Sequence, residues 1–109
     1  MELLTKEIRE QIPKLYAQEK EGKNTMTYVK FFLPGSRWAW YVTEFDGKDT
    51  FFGYVKSGLD PNFDEYGYFS LEELENLTHD NKEKNLIIAV ERDLYFKPQL
   101  LTPIIEHSS

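Results

Sequence analysis

The sequence predicts an α+β fold: an antiparallel sheet of four to five strands, made of a meander of three plus a C-terminal strand, with an N-terminal helix and a short central helix. Three observations predict it. Aromatic residues make up 16% of the 109, as two Trp, seven Tyr and eight Phe. Most fall in three tight clusters, Phe31 to Tyr41, Phe51 to Tyr54 and Phe63 to Phe69, and such residues favour strands. The turn signal Pro34-Gly35-Ser36 divides the first cluster, and Asp46-Gly47 separates it from the second. Capped apolar stripes at Thr5 and Ser70 add helices outside the run of strands, the arrangement in which helices cover one face of an antiparallel sheet.

Taken in order, Thr5 caps a helix whose stripe is Ile8, Ile12, Leu15 and Tyr16, and Leu4 can pack back onto it. Pro13 clashes with the carbonyl of Arg9 in a continuous helix, so a break is expected there with a last turn through Tyr16. Gln18 to Asn24 is polar, carries Gly22 and reads as a loop. Thr25 to Phe45 reads as a hairpin in which Trp38, Trp40, Val42 and Glu44 face one side of the second strand. Arg37, Ala39, Tyr41, Thr43 and Phe45 face the other. Thr50 to Lys56 is the third strand, and Ser57 to Tyr66 a loop. Ser70-Leu71-Glu72-Glu73 is a capping box that opens a helix with Leu71, Leu74 and Leu77 on its apolar side. Leu86 to Val90 reads as a strand, Glu91 to Phe96 repeats the alternation, and Pro98 and Pro103 break the C-terminal stretch. One domain over 1–109 is expected, with 98–109 as a fraying tail.

The net charge is −6, and it is unevenly placed. Met1 to Arg37 carries seven Lys and Arg against five Glu, net +2; Trp38 to Ser109 carries six against fourteen acids, net −8. Ser57 to Asn81 has no Lys or Arg but holds Asp60, Asp64, Glu65, Glu72, Glu73, Glu75 and Asp80. A field of that sign repels phosphate backbones, so direct binding of double-stranded DNA is not expected, and a basic or DNA-binding protein is the expected kind of partner. There is no cysteine, which excludes disulfides and thiolate metal sites. No apolar run approaches about 18 residues and the N-terminus lacks a signal-peptide core, so a cytoplasmic protein without membrane contact is expected.

The chain resembles a known family through a series of motifs in fixed order. Leu3-Leu4-Thr5-Lys6-Glu7 is followed by Lys30-Phe31-Phe32, Trp38-Ala39-Trp40-Tyr41 and Glu44-Phe45-Asp46-Gly47. Then come Phe51-Phe52-Gly53-Tyr54-Val55, Gly67-Tyr68-Phe69-Ser70-Leu71-Glu72-Glu73-Leu74 and Glu91-Arg92-Asp93-Leu94-Tyr95-Phe96. Together they resemble a family of small acidic bacterial proteins described as a domain of unknown function and frequent on plasmids and other mobile elements. The resemblance spans about nine-tenths of the chain. It implies a setting and no activity, cofactor or catalytic residue.

Glu44, Asp46 and Asp49, with Lys48 between, are the residue types of a magnesium-dependent nuclease. The plainer reading is a hairpin turn with solvated carboxylates. Arg92, between Glu91 and Asp93 on an apparently buried strand, needs a partner, and Glu44 or a loop carboxylate is the expected one. No Ser, His and Asp set, phosphate-binding glycine loop or His pair at helical spacing is present, so no catalytic residue, metal or cofactor is assigned. Large rings occur at both parities of the strands, more than two short helices can cover, so some are expected to meet a protein partner or a second copy of the chain. The sequence therefore points to a non-enzymatic interaction module of a mobile element. Its sharper form is an acidic DNA mimic that inhibits or regulates a host DNA-handling or defence protein. The expected binding residues are Trp38, Trp40, Tyr54, Asp60, Asp64, Glu65, Glu72, Glu73, Glu75 and Arg92. The rivals are a small metal-dependent hydrolase working at 44–49 and a single-stranded nucleic-acid binder using Trp38 and Trp40.

Overall fold

The computed structural model describes residues 2–107. Helix α1 spans Lys6–Gln11, and the Thr5 hydroxyl accepts from the Ile8 amide at 3.2 Å, the expected cap. It ends before Pro13, where the break was expected, and no further helical turn forms through Tyr16, which instead takes a φ of +72°. Strands β1 (Met26–Thr27), β2 (Val29–Phe32), β3 (Ala39–Phe45), β4 (Thr50–Lys56) and β5 (Glu65–Ser70) follow. Helix α2 (Leu71–Asn76) starts at Ser70, whose hydroxyl oxygen accepts from the Glu73 amide at 3.2 Å. After it come β6 (Thr78–Asn81), β7 (Leu86–Ala89), β8 (Glu91–Arg92), β9 (Gln99–Leu100) and α3 (Leu101–Glu106).

The main sheet is antiparallel with the order β5-β4-β3-β2-β8. The fold is therefore α+β with five strands, a meander completed by a C-terminal strand on its far edge. Two strand assignments around the main sheet differ from expectation. β5 begins at Glu65, inside the expected loop, because Tyr66, Tyr68 and Phe69 pair in register with Tyr54, Phe52 and Phe51. Leu86 to Ala89 does not join the main sheet; it pairs with β6 in a separate hairpin, and the shorter Glu91–Arg92 pairs with β2 instead.

Residues directly opposite on neighbouring strands point to the same face, so the register assigns the two faces. One face carries Phe31, Trp40, Val42, Phe45 and Phe51 and is closed by Leu3, Leu4, Leu71 and Leu74 from the N-terminal segment and α2. Phe45 and Phe51 stack at 4.5 Å between centroids, and each is almost wholly buried. The other face carries Ala39, Tyr41 and Tyr54 under Leu101, with Phe32, Phe96, Ile104 and Ile105 around them. Helices thus lie on both faces rather than one. Pro103 does not interrupt α3, since it sits in the first turn, where an amide proton is not required.

Arg92 uses Nη1 to donate to the carbonyls of Glu2 and Leu3, both at 2.7 Å. The expected partner is Glu44 or a loop carboxylate; these two bonds go instead to backbone carbonyls of the N-terminal segment. The guanidinium clamps the segment that delivers Leu3 and Leu4 to the core. Among the described residues no helix is long and apolar enough to cross a membrane.

Candidate functional site

Strict alternation along β3 would turn Glu44 into the core beside Trp40 and Val42. A β-bulge prevents this. The pairing with β4 shifts between Val42 and Glu44, so that Glu44 opposes Phe52 and Phe45 opposes Phe51. One extra residue lets Phe45 face the core and sets both Thr43 and Glu44 toward the opposite face. Thr43 Oγ1 donates to the Phe52 carbonyl at 2.9 Å, and Thr27 Oγ1 to the Val42 carbonyl at 3.0 Å, satisfying acceptors around the irregularity.

The Glu44 carboxylate is held by the segment C-terminal to Pro13. Oε1 accepts from the Tyr16 amide and Oε2 from the Gln18 amide, each at 2.8 Å, and the residue is only 4% exposed. The left-handed Tyr16 conformation curls the backbone so that both amides converge, as in the amide nests that bind anions. Gln18 fixes the same segment from the other side. Its amide nitrogen donates to the carbonyls of Met26 (2.9 Å) and Thr43 (2.8 Å), while its oxygen accepts from the Met26 amide at 2.7 Å.

Above this carboxylate the sheet is not covered. α3 shelters the Ala39, Tyr41 and Tyr54 portion, and Phe52, Tyr66 and Tyr68 are left outside it. With Tyr16 and the 18–25 loop they bound a cleft of about 600 Å³, its rim completed by Glu19, Lys23, Thr25 and Thr102. The rings support one another. Phe52 stacks near Tyr66 at 6.3 Å and meets Tyr68 edge-on at 5.0 Å, and the Tyr68 hydroxyl reaches that of Tyr16 at 3.5 Å. That contact raises the Tyr68 phenol above its ordinary value, and the nearby charges of Glu44 and Glu19 add to the rise. A concave site of this volume, with four aromatic rings and one buried carboxylate in its lining, has the size of a binding pocket.

The residues expected to bind are scattered by comparison. Trp40 and Tyr54 are 7% exposed and belong to the two cores, so neither can be a docking ring; Trp38 is half-buried and stacks on Trp40 at 6.0 Å. Asp60 accepts from the Asn62 amide and Asp64 from the Ser57 amide, so both organise the 57–64 loop. Glu65, Glu72, Glu73 and Glu75 are exposed on β5 and α2. Arg92 serves the N-terminal clamp. Glu44, Asp46 and Asp49 do not converge. Asp46 Oδ1 accepts from the amides of Lys48, Asp49 and Thr50, which lowers its pKa, the Lys48 amide most. Asp49 accepts from the Ser70 hydroxyl at 2.6 Å and the Glu72 amide at 2.8 Å, tying the turn to α2. Among the described residues no group of three or more His, Cys, Asp or Glu is placed to hold a metal ion.

Tyr16, Phe52, Tyr66 and Tyr68 were not singled out as a site from sequence. A signal for two of them existed in Tyr66-Gly67-Tyr68, where two rings share a strand face beside a residue with no side chain. The chain matches the family model described as "Protein of unknown function (DUF2958)" over residues 3–106 and belongs to that family. No curated protein and no solved structure matches it.

Proposed function

We propose that this member of a family without an assigned activity is a non-enzymatic protein-binding module of a mobile genetic element, acting in the bacterial cytoplasm through the Glu44 cleft. One observation carries the reading. Tyr16, Tyr66 and Tyr68 are 63%, 55% and 57% exposed around a concavity floored by a buried carboxylate. Clustered rings with one apolar and one wet side are enriched at protein interfaces. The exposed Glu65, Glu72, Glu73 and Glu75 lie on the α2 side of the sheet and add to the net charge of −6, whose field favours a basic partner. In its sharper form the module regulates or inhibits a host DNA-handling or defence protein, its carboxylates taking the place of phosphates.

The test compares tagged wild type and Tyr68→Ala as baits in lysate of the protein's own host, at low and high salt. A DNA-handling protein held by wild type, released by salt and lost with Tyr68→Ala is the expected result. Equal capture by both baits would remove the cleft from the interaction. Calorimetry with magnesium, manganese and calcium covers the rival: a heat of binding abolished by Asp46→Ala would replace a docking module with a metal-dependent hydrolase.

A further inference from the structure

Glu44 is a buried carboxylate that accepts from two backbone amides. Its two oxygens each accept one bond, whereas a carboxylate offers about four acceptor positions. Among the described residues no lysine or arginine nitrogen lies within ion-pair distance of it. A charge removed from water in this way is stabilised further by any cation that reaches it. The approach to it runs between aromatic rings, whose faces attract cations. Lys23 on the rim opposes this attraction, and Glu19 on the same rim reinforces it.

The cleft also adjoins the open side of the sheet. β5 carries Tyr66 and Tyr68 and is an outer strand; among the described residues no strand pairs with its free edge. Unpaired backbone groups there can accept an extended segment as an added strand, with one side chain directed over the edge into the cleft. A volume of about 600 Å³ exceeds one side chain and leaves room for its neighbours in the segment.

We propose that the cleft receives an arginine of an extended partner segment laid along β5, its guanidinium against the Phe52, Tyr66 and Tyr68 rings and facing Glu44. This deepens the binding role proposed above and rests on it. Arginine fits better than lysine because a flat guanidinium stacks on rings while its fork of donors meets a carboxylate, whereas an ammonium is a compact, strongly hydrated point charge.

The experiment selects random linear peptides from a display library on wild-type protein, with counter-selection on Tyr68→Ala. Each selected peptide is then synthesised with its arginine kept, changed to lysine, or changed to citrulline, which has the same shape without the charge. Changing the peptide leaves the fold of the protein untouched. Peptides that depend on the cleft and lose roughly tenfold or more in affinity on citrulline replacement are expected, with lysine weaker than arginine. Cleft-dependent peptides indifferent to the replacement, or binding equally with lysine, would overturn the arginine assignment and leave the binding role standing. Failure to obtain any cleft-dependent peptide would remove both.

Discussion

Replacing Glu44 with Ala removes both acceptors of the Tyr16 and Gln18 amides, and the geometry sets the scale of the loss. Each bond is 2.8 Å long and made to a carboxylate on a residue 4% exposed. Hydrogen bonds to charged groups contribute about 1.5–3 kcal/mol each, and an orphaned buried donor costs about 1–3 kcal/mol. Because the two amides lie beside an open cleft, water can replace part of what is lost. The expected destabilisation is therefore about 2–4 kcal/mol, below the full sum of two bonds, and a melting temperature lower by about 8–16 °C for a domain of this length. Urea unfolding gives the free energy, and amide exchange by NMR shows where it is lost. Faster exchange confined first to Tyr16, Gln18 and their neighbours is the expected pattern. A loss under about 0.5 kcal/mol, with those two amides as protected as before, would show that the carboxylate does not hold the segment.

A Cβ added at Gly53 would collide with the Tyr41 carbonyl, so Gly53→Ala is expected to destabilise by at least about 2 kcal/mol, measured by urea unfolding. Gly67, directly across the pair, has open space, and Gly67→Ala serves as the control that should stay within about 1 kcal/mol. Arg92→Ala removes two 2.7 Å bonds to the Glu2 and Leu3 carbonyls and should lower stability by about 2–4 kcal/mol, with exchange accelerated first in the N-terminal segment. The Asp46 carboxyl is held below its ordinary value of 3.8, chiefly by the Lys48 and Asp49 amides. A depressed folded-state pKa contributes stability above the unfolded value and loses it as pH falls through the folded value. The difference in melting temperature between wild type and Asp46→Ala should thus be full above about pH 5 and shrink as the pH falls through the folded-state value; a difference that does not change with pH would contradict the assignment.

Local chemistry was legible wherever a few neighbouring residues decide the outcome. Thr5 and Ser70 cap their helices, Pro13 stops the first one, and Asp46-Gly47 turns the hairpin because cap and turn geometry is settled within four or five residues. The bulge in β3 was not legible. Val42-Thr43-Glu44-Phe45 contains no glycine, and the shift of register follows from the stacking of Phe45 on Phe51 across the strand pair. The start of β5 was hidden because Gly58, Pro61 and Asn62 mark Ser57 to Tyr66 as a loop, although pairing with β4 makes Glu65 and Tyr66 part of a strand. The cleft was hardest of all. Tyr16 and Tyr68 meet from 52 positions apart, and which rings stay exposed depends on how far α3 reaches over the sheet. Trp40 and Tyr54 are the rings that a count by residue type favours, yet position in the sheet places both in the interior.

Tyr16 joins the stability of this segment to its proposed role, and one substitution separates them. A residue with a side chain in the left-handed region is strained by about 1–2 kcal/mol, a strain glycine does not have. Tyr16→Gly relieves that strain but gives the unfolded chain more freedom, at about 0.5–1 kcal/mol. The ring itself is 63% exposed, so its packing contributes little to offset either effect. The backbone amide that donates to Glu44 remains. Stability should accordingly change by no more than about 1 kcal/mol, while one wall of the cleft disappears and peptides selected on the wild type bind more weakly. A loss of stability beyond about 2 kcal/mol would mean that the ring, and not the bond between amide and carboxylate, fixes the segment. The left-handed backbone at Tyr16 would then be a consequence of ring packing rather than of the need to bring two amides to one carboxylate.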